Sequence, residues 1–151
     1  MITLFIIMGL SCPNYTEMCT ELNNIRPFKS SRMPTCERVA EVAEEWDIDP
    51  LLLISVAWHE SRFNNKAVSR AGAVGALQIL PKWFCGSQKC DYIYVGGRAF
   101  TRWRKRAKGN LYMTLAMYNG GNSPGKRSFR YAKVVMRTYK LLKRKCRVPG
   151  C

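Results

Sequence analysis

Acidic residues are scarce in this chain and nearly absent from its second half. The 151 residues include 10 Asp or Glu against 25 Lys or Arg, which gives a formal net charge of +15. Glu60 is followed by only one further acidic residue, Asp91. A site that needs two neighbouring carboxylates therefore has few candidates beyond Glu60. The C-terminal third is a cationic surface that attracts polyanions without distinguishing among them.

Histidine is also nearly absent, because His59 is the only one. The segment HESRF (residues 59–63) lacks the second histidine of a zinc-protease motif, so the sequence excludes that class. Neighbouring residues on a helix point about 100 degrees apart, so His59 is poorly placed to exchange a proton with Glu60. We interpret His59 as a structural residue.

Long apolar segments are lacking as well. Residues 1–10 are apolar except for Thr3, but this run is too short to span a bilayer and no basic residue precedes it. It resembles a shortened signal sequence, and Cys12 lies in a context faintly similar to a lipoprotein cleavage site. The alternative is an N-terminal strand or helix packed on the core. The sequence favours export, to the periplasm, cell envelope or a virion, over a stable cytosolic protein.

Cysteine, by contrast, is abundant. Seven cysteines in a chain of this size indicate an oxidising compartment and up to three disulfides, with one cysteine left over. Cys85 and Cys90 are close enough in sequence to form a local disulfide. Because Cys146 and Cys151 repeat the same C-x4-C spacing, a four-thiolate zinc site is an alternative, although no other pattern in the sequence supports a metal.

The composition fits one folded domain. The chain is 47% hydrophobic and 11% aromatic, which is too apolar for a disordered protein, and it is too short for two comfortable domains. We divide it into an N-terminal hydrophobic segment and loop-rich lead-in (residues 1–34), a main domain (residues 35–145) and a Cys-containing tail (residues 146–151).

Helical periodicity dominates the main domain. A first helix is predicted from Thr35, its N-cap candidate, to Asp47. A second follows, with Asp49 as N-cap and Pro50 at the first helical position, and it is apolar almost throughout. Further helices are predicted over residues 98–107 and 111–117 and, after a turn cluster at 119–125, as a very basic final helix. Residues 13–34 are expected to form a loop-rich, disulfide-tethered lead-in, and residues 85–97 a second loop-rich stretch. A tight connection or a short hairpin is expected over residues 64–75.

Glu60 lies near the C-terminal end of the second predicted helix. Burial raises the pKa of a carboxyl group, and the negative end of the helix dipole raises it further. Glu60 therefore suits a general acid that must hold a proton at neutral pH. Taken alone, a capping or surface glutamate is the ordinary interpretation.

Several ordered motifs change that interpretation. They are DPLLLI (49–54), ESRFN (60–64), AVS (67–69), GAVGALQILP (72–81), AMYNGG (116–121) and YAKVV (131–135). Together they closely resemble the catalytic domain of lytic transglycosylases, which is related to goose-type lysozyme, and the resemblance covers about residues 36 to 142. It implies a mainly α, lysozyme-like α+β fold, in which a small β-hairpin or loop element flanks a glycan-binding cleft.

The resemblance also implies an activity and a set of site residues. Such enzymes cleave the MurNAc-GlcNAc β-1,4 bond of peptidoglycan and form 1,6-anhydro-MurNAc, with one glutamate as acid and base. Glu60 takes that role and Ser61 helps to orient it. The substrate-binding residues are then Ser61, Gln78, Tyr118, Asn119 and Tyr131. We expect no cofactor and no metal, a monomer, and peptidoglycan glycan strands as the partner.

The sequence departs from the family pattern at a few positions. Met117 replaces a small residue, Ala76-Leu77 replace a common Leu-Met pair, and a Cys-bounded loop occupies the region before residue 97, so the sugar subsites there can differ. Small size and basicity suit a phage lysis or entry enzyme, or a conjugation-associated transglycosylase.

Other functions stay open at this point. The first is a lysozyme-type hydrolase of the same bond, and the second an inactive cationic glycan-binding protein. A nucleic-acid or membrane-surface module could use the bases of residues 98–108 and 126–147, but no specific nucleic-acid motif accompanies them. An anionic envelope or membrane surface fits the basic C-terminal third better.

Overall fold

A computed structural model describes residues 14–146 of the chain. Its helices are α1 (Tyr15–Ile25), a 3-10 turn (Ser30–Arg32), α2 (Met33–Glu45), α3 (Pro50–Ser61), α4 (Pro81–Phe84), α5 (Tyr92–Arg106), α6 (Leu111–Gly120) and α7 (Lys126–Lys145). Within these residues the only β-pairing consists of isolated bridges that join Val74 to Val68 and to Ile79. The predicted fold class, a mainly α domain with a small β or loop element, is confirmed.

Helix α3 is the central helix, and it begins as the sequence predicts. The side chain of Asp49 accepts a hydrogen bond from the Leu51 amide, and Pro50 occupies the first turn. Every residue from 51 to 57 is buried, against α2 on one side and α7 on another. Because each buried Leu, Ile or Val side chain contributes about 1.5–3 kcal/mol, this helix anchors the core and fixes the position of Glu60 near its end.

The loop prediction for residues 13–34 is wrong over most of its length, because residues 15–25 form α1, residues 30–32 form the 3-10 turn and residues 33–34 begin α2. Asn14 caps this helix by accepting a hydrogen bond from the Glu17 amide. Met18 and Leu22, four residues apart, are buried in the core, and Cys19 forms a disulfide with Cys36 of α2. The many polar residues obscured this narrow apolar face, which a helix needs only on one side.

Helix α2 begins earlier than predicted. Thr35 is not its N-cap, because the helix starts at Met33 with Arg32 in the capping position and Pro34 in the first turn. The predicted domain boundary at residue 35 therefore falls inside α2. Asp47 lies just beyond the helix with a positive φ of 54 degrees, close to the predicted end.

The predicted loop over residues 85–97 extends too far and the predicted helix over 98–107 begins too late. Helix α5 starts at Tyr92, where Asp91 caps it by accepting hydrogen bonds from two backbone amides. Gly96 and Gly97 suggested a loop, but both are buried within the helix. A Cβ at Gly96 would lie 2.4 Å from Leu77, and one at Gly97 would lie 2.4 Å from Trp46. These glycines thus allow α5 to approach its neighbours closely.

Helix α6 is also longer than predicted, whereas α7 follows the predicted turn cluster directly. Helix α6 continues to Gly120 rather than ending at residue 117, so Asn119 and Gly120 belong to the helix and not to the turn. Helix α7 begins at Lys126 and buries Ala132, Val135 and Leu142 among its inward residues. Helices α6 and α7 pack along each other and close the core over α3.

The predicted local disulfide between Cys85 and Cys90 is present. Because these sulfurs are bonded to each other, they cannot serve as thiolate ligands, and the four-thiolate zinc alternative is wrong. Cys146 is disulfide-bonded as well. The predictions for residues 1–12 and for Cys151 lie outside the described residues. Between residues 14 and 146, no helix is long and apolar enough to cross a membrane.

Candidate active site

Glu60 is the second-last residue of α3, where the buried helix reaches the surface of the core. Its side chain is largely enclosed, and burial raises the pKa of Glu60 from 4.5 to about 7. A hydrogen bond from Tyr131 opposes this effect and lowers the pKa, but burial is the larger cause. The carboxyl group is therefore substantially protonated at neutral pH, as a general acid must be.

Two tyrosines from the closing helices surround this carboxyl. The Tyr131 hydroxyl of α7 donates to Glu60 Oε1 at 2.5 Å. The Tyr118 hydroxyl of α6 donates to the Leu77 carbonyl at 2.6 Å. Burial and the nearby Glu60 charge raise the pKa of both phenols well above the usual 10. Both tyrosines thus stay neutral, and Tyr131 acts as a hydrogen-bond donor to the acid.

The segment after α3 is bound to the end of that helix by side-chain hydrogen bonds. The Ser61 hydroxyl donates to the Ala76 carbonyl at 2.8 Å, and among residues 14–146 it makes no hydrogen bond to the Glu60 carboxyl. The Gln78 amide donates to the carbonyls of Gly75 at 2.9 Å and Ala67 at 3.2 Å. Ser61 and Gln78 therefore fix the loop opposite Glu60, and any direct contact with a substrate is still a prediction.

Asn119 is exposed and lies in the last turn of α6, directly after Tyr118. Within residues 14–146, no hydrogen bond links Asn119 to Glu60. The following Gly120 is needed for packing, since a Cβ there would lie 2.2 Å from the Ser128 hydroxyl of α7. The motif around Asn119 thus holds α6 close to the start of α7, which carries Tyr131.

The acidic residues that come directly before and after Glu60 in the sequence, Asp49 and Asp91, have other partners in the structure. Asp49 sits at the opposite end of α3 and accepts a hydrogen bond from Tyr139 at 2.6 Å. Asp91 caps α5 and pairs with Arg38 at 3.3 Å. Burial and the Tyr131 hydroxyl are the influences on the Glu60 pKa, and no neighbouring carboxylate contributes to it.

His59 lies on another side of α3 and packs into the fold. Its Nε2 is 2.8 Å from the Thr138 hydroxyl of α7. Burial, helped by the charge of Arg26, lowers the pKa of His59 to about 4, so the ring is neutral at pH 7. The position agrees with the structural role expected from the sequence.

Some contributors to the site were missed by sequence reasoning. Arg62 and Phe63 both adopt positive φ, near 51 and 61 degrees, which turns the chain sharply after Glu60. Asn65 Oδ1 accepts a hydrogen bond from the Ala76 amide and thereby joins the two arms of the loop. The positive-φ pair has no sequence signature, because neither residue is the Gly or Asn that favours this region.

This mainly α domain has the fold of the lysozyme-like class, and it encloses a carboxyl group at the end of its central helix. The chain matches the model of the Transglycosylase SLT domain over residues 37–137, about two thirds of its length. It therefore belongs to that family. Its general activity is the lytic transglycosylase-type degradation of peptidoglycan, a substrate that lies outside the cytoplasm.

Proposed function

We propose that this protein cleaves the MurNAc-GlcNAc β-1,4 bond and forms 1,6-anhydro-MurNAc, with Glu60 as the single acid and base. The supporting observation is the enclosed carboxyl of Glu60, whose pKa burial raises to about 7. A group with this pKa is present in both protonation states near neutral pH, so it can give a proton and later take one back.

In the first step, protonated Glu60 donates its proton to the glycosidic oxygen. The bond from that oxygen to C1 of MurNAc breaks, and positive charge develops on C1. Glu60 is then a carboxylate, and the Tyr131 hydroxyl at 2.5 Å stabilises the new charge. Because Tyr131 stays neutral, it donates a hydrogen bond without supplying a proton of its own.

In the second step, the Glu60 carboxylate accepts the proton of the MurNAc C6 hydroxyl. The C6 oxygen attacks C1 and closes the 1,6-anhydro ring, so Glu60 is protonated again and no water is consumed. A hydrolase needs a second carboxylate, as nucleophile or as base for water. The capping and pairing roles of Asp49 and Asp91 leave neither of them available for this task. The arrangement thus favours the anhydro product over hydrolysis.

The remaining site residues belong to the same proposal. Gln78, Tyr118 and Asn119 contact the glycan near the scissile bond, and Ser61 positions the loop opposite Glu60. The catalytic unit includes the whole of α2 from Met33 and extends to residue 145, with α1 as a disulfide-linked support. The mechanism requires no cofactor and no metal.

The test is digestion of purified peptidoglycan followed by mass spectrometry of the released muropeptides. Wild type is compared with Glu60→Gln and with Glu44→Gln as a matched control. Glu44 also accepts a hydrogen bond from a tyrosine at 2.5 Å, from Tyr15, but it lies on the exposed surface of α2. We expect anhydro-muropeptides from wild type and Glu44→Gln, and none from Glu60→Gln.

Other results lead to other conclusions. Products with free reducing ends would identify a hydrolase and overturn the anhydro proposal. Full activity of Glu60→Gln would remove Glu60 from its catalytic role. If wild type releases nothing where a control enzyme works, the glycan-binding alternative replaces the enzyme.

A further inference from the structure

Helix α7 carries an unusual distribution of charge. Its 20 residues include nine Lys or Arg and no Asp or Glu. Six of these bases recur at intervals of four and three residues, which places them on one side of the helix. This set, named here the cationic stripe, consists of Lys126, Arg130, Lys133, Arg137, Lys140 and Arg144. At 1.5 Å per residue it is about 27 Å long.

The cationic stripe is exposed and has no counter-charge within residues 14–146. All six residues are exposed. Every ion pair within those residues belongs to Arg38 of α2. Two arginines of α5 differ, because Arg104 donates to the carbonyls of Asp47 and Trp46, and Arg98 donates to Phe84. Arg98 and Arg104 thus help to hold the fold, whereas the cationic stripe makes no such contact.

The arrangement of the cationic stripe is unfavourable for the helix itself. Like charges three or four residues apart destabilise a helix by about 0.2–0.5 kcal/mol per pair, and the stripe contains five successive pairs. Solubility requires only charge, which mixed acidic and basic residues would supply without this repulsion. A partner of negative charge would relieve the repulsion.

The cationic stripe faces away from the active site. At 100 degrees per residue, its centre lies about 140 degrees around the α7 axis from Tyr131, whose hydroxyl contacts Glu60. The inward face of α7 is occupied by the core, including Ala132, Val135 and Leu142. Val134 is the one large aliphatic side chain of this helix that is exposed, so α7 offers no continuous apolar face to insert into a bilayer, and its charged side is the surface available.

We propose that the cationic stripe adsorbs the protein onto an anionic phospholipid bilayer, with the Glu60 side turned away from the lipid. Because the six bases lie on one exposed side of a single helix, a flat anionic surface can reach all of them at once. Flexible polyanion strands are instead held in grooves lined with stacking aromatic residues, and the stripe borders such a groove, beside Tyr112 and Phe129, only at Lys126, Arg130 and Lys133. Each base near an anionic bilayer adds about 1 kcal/mol of attraction. The six bases together therefore give strong binding, which added salt weakens.

The test is sedimentation of the full chain with vesicles rich in phosphatidylglycerol and with vesicles of phosphatidylcholine alone. The stripe variant is Arg130→Gln/Lys133→Gln/Arg137→Gln. Its matched control, Arg70→Gln/Lys105→Gln/Arg106→Gln, removes the same kinds of exposed base elsewhere and leaves the same net charge. We expect the stripe variant to bind anionic vesicles roughly a hundredfold more weakly than wild type, and the control variant to change by less than about threefold.

Two further measurements separate this proposal from the catalytic one. Thermal unfolding checks that both triple variants fold, and digestion of soluble peptidoglycan fragments should be the same in both. Equal losses in the two variants, or equal binding of wild type to both kinds of vesicle, would overturn the proposal. So would binding to a soluble phosphodiester polymer, such as poly(glycerol phosphate), without binding to anionic vesicles. None of these outcomes depends on the role of Glu60.

Discussion

The Tyr131 hydroxyl donates a hydrogen bond to Glu60 Oε1 at 2.5 Å and so joins the last helix to the end of the central one. The contact acts against burial, because burial raises the pKa of Glu60 while the hydrogen bond lowers it. The balance leaves the pKa at about 7. One phenol thus keeps the acid within the pH range in which it can both give and accept a proton.

Removing this phenol should shift the pH profile of activity. In Tyr131→Phe the carboxylate of Glu60 loses its hydrogen-bond donor, so the pKa of the carboxyl rises and the acid stays protonated to higher pH. We expect the alkaline limb of kcat/KM, near pH 7 in wild type, to move up by about one pH unit, since one unit corresponds to about 1.4 kcal/mol. The measurement is peptidoglycan cleavage rate against pH.

Tyr139→Phe is the matched control for this prediction. It removes a tyrosine hydroxyl from the same helix α7, and that hydroxyl also donates to a carboxylate, Asp49, at the far end of α3. This control should lose stability but keep the alkaline limb in place. A Tyr131→Phe limb that stays at the wild-type pH would show that the hydrogen bond does not set the acidity of Glu60.

The raised pKa of Glu60 also makes a prediction about stability. A folded-state pKa of about 7 against 4.5 means that the folded protein keeps a proton which the unfolded chain releases. The proton held by Glu60 therefore contributes its full stabilisation of the fold below pH 4.5, and this stabilisation is lost as pH rises from 4.5 through 7. Glu60→Gln removes the cost of an enclosed charge, so it should stabilise the protein by roughly 2–3 kcal/mol at pH 8 and by little at pH 4.

Urea unfolding at the two pH values measures this difference. Glu44→Gln serves as the control because Glu44 is exposed, and it should show no comparable gain at pH 8. If Glu60→Gln is equally stable relative to wild type at both pH values, the carboxyl of Glu60 is not enclosed in the way described.

The central helix and the position of Glu60 could be predicted from the sequence alone. Asp49 and Pro50 fix the start of α3 locally, and the unbroken apolar run predicts a buried helix, so the position of Glu60 follows from short-range information. The family match over residues 37–137 agrees with motifs that are visible in the sequence. Features that depend on one segment and its immediate neighbours were thus predictable.

Features that depend on contact between distant segments were not. The motif resemblance assigns Tyr131 and Glu60 to one site, but nothing in the sequence indicates the hydrogen bond between them across 71 positions, or the packing of Gly97 against Trp46. Gly96 and Gly97 read as loop residues because glycine weakens an isolated helix, whereas packing makes them necessary inside α5. Similarly, the hydrogen bond from the Ser61 hydroxyl to the Ala76 carbonyl was not anticipated, and the expected help of Ser61 in orienting Glu60 stays a prediction.

The close approach of α5 predicts a strong effect of a single methyl group. In Gly97→Ala the new Cβ would meet Trp46 at 2.4 Å and Val42 at 2.9 Å, both in the packed interface with α2. We expect a loss of about 1–3 kcal/mol in the free energy of unfolding. Gly125→Ala is the control, because nothing lies within 4 Å of a Cβ there. Similar effects in the two variants would argue against close packing of α5.

The Cys19–Cys36 and Cys85–Cys90 disulfides should differ in their effect on stability because they close chain loops of different length. Cys19 and Cys36 are 17 residues apart and join α1 to α2, whereas Cys85 and Cys90 are 5 apart within one loop. Since the constraint on the unfolded chain grows with loop length, Cys19→Ser/Cys36→Ser should cost about 3 kcal/mol and Cys85→Ser/Cys90→Ser about 2 kcal/mol. Cys19 and Cys36 are also both buried in the core, where the variant would place serine hydroxyls in the position of sulfur. The difference in stability loss between the two double variants should therefore be larger than loop length alone predicts. Guanidinium unfolding of the two double variants measures both losses, and a larger loss for the Cys85 and Cys90 pair would mean that α1 adds little to the stability of the core.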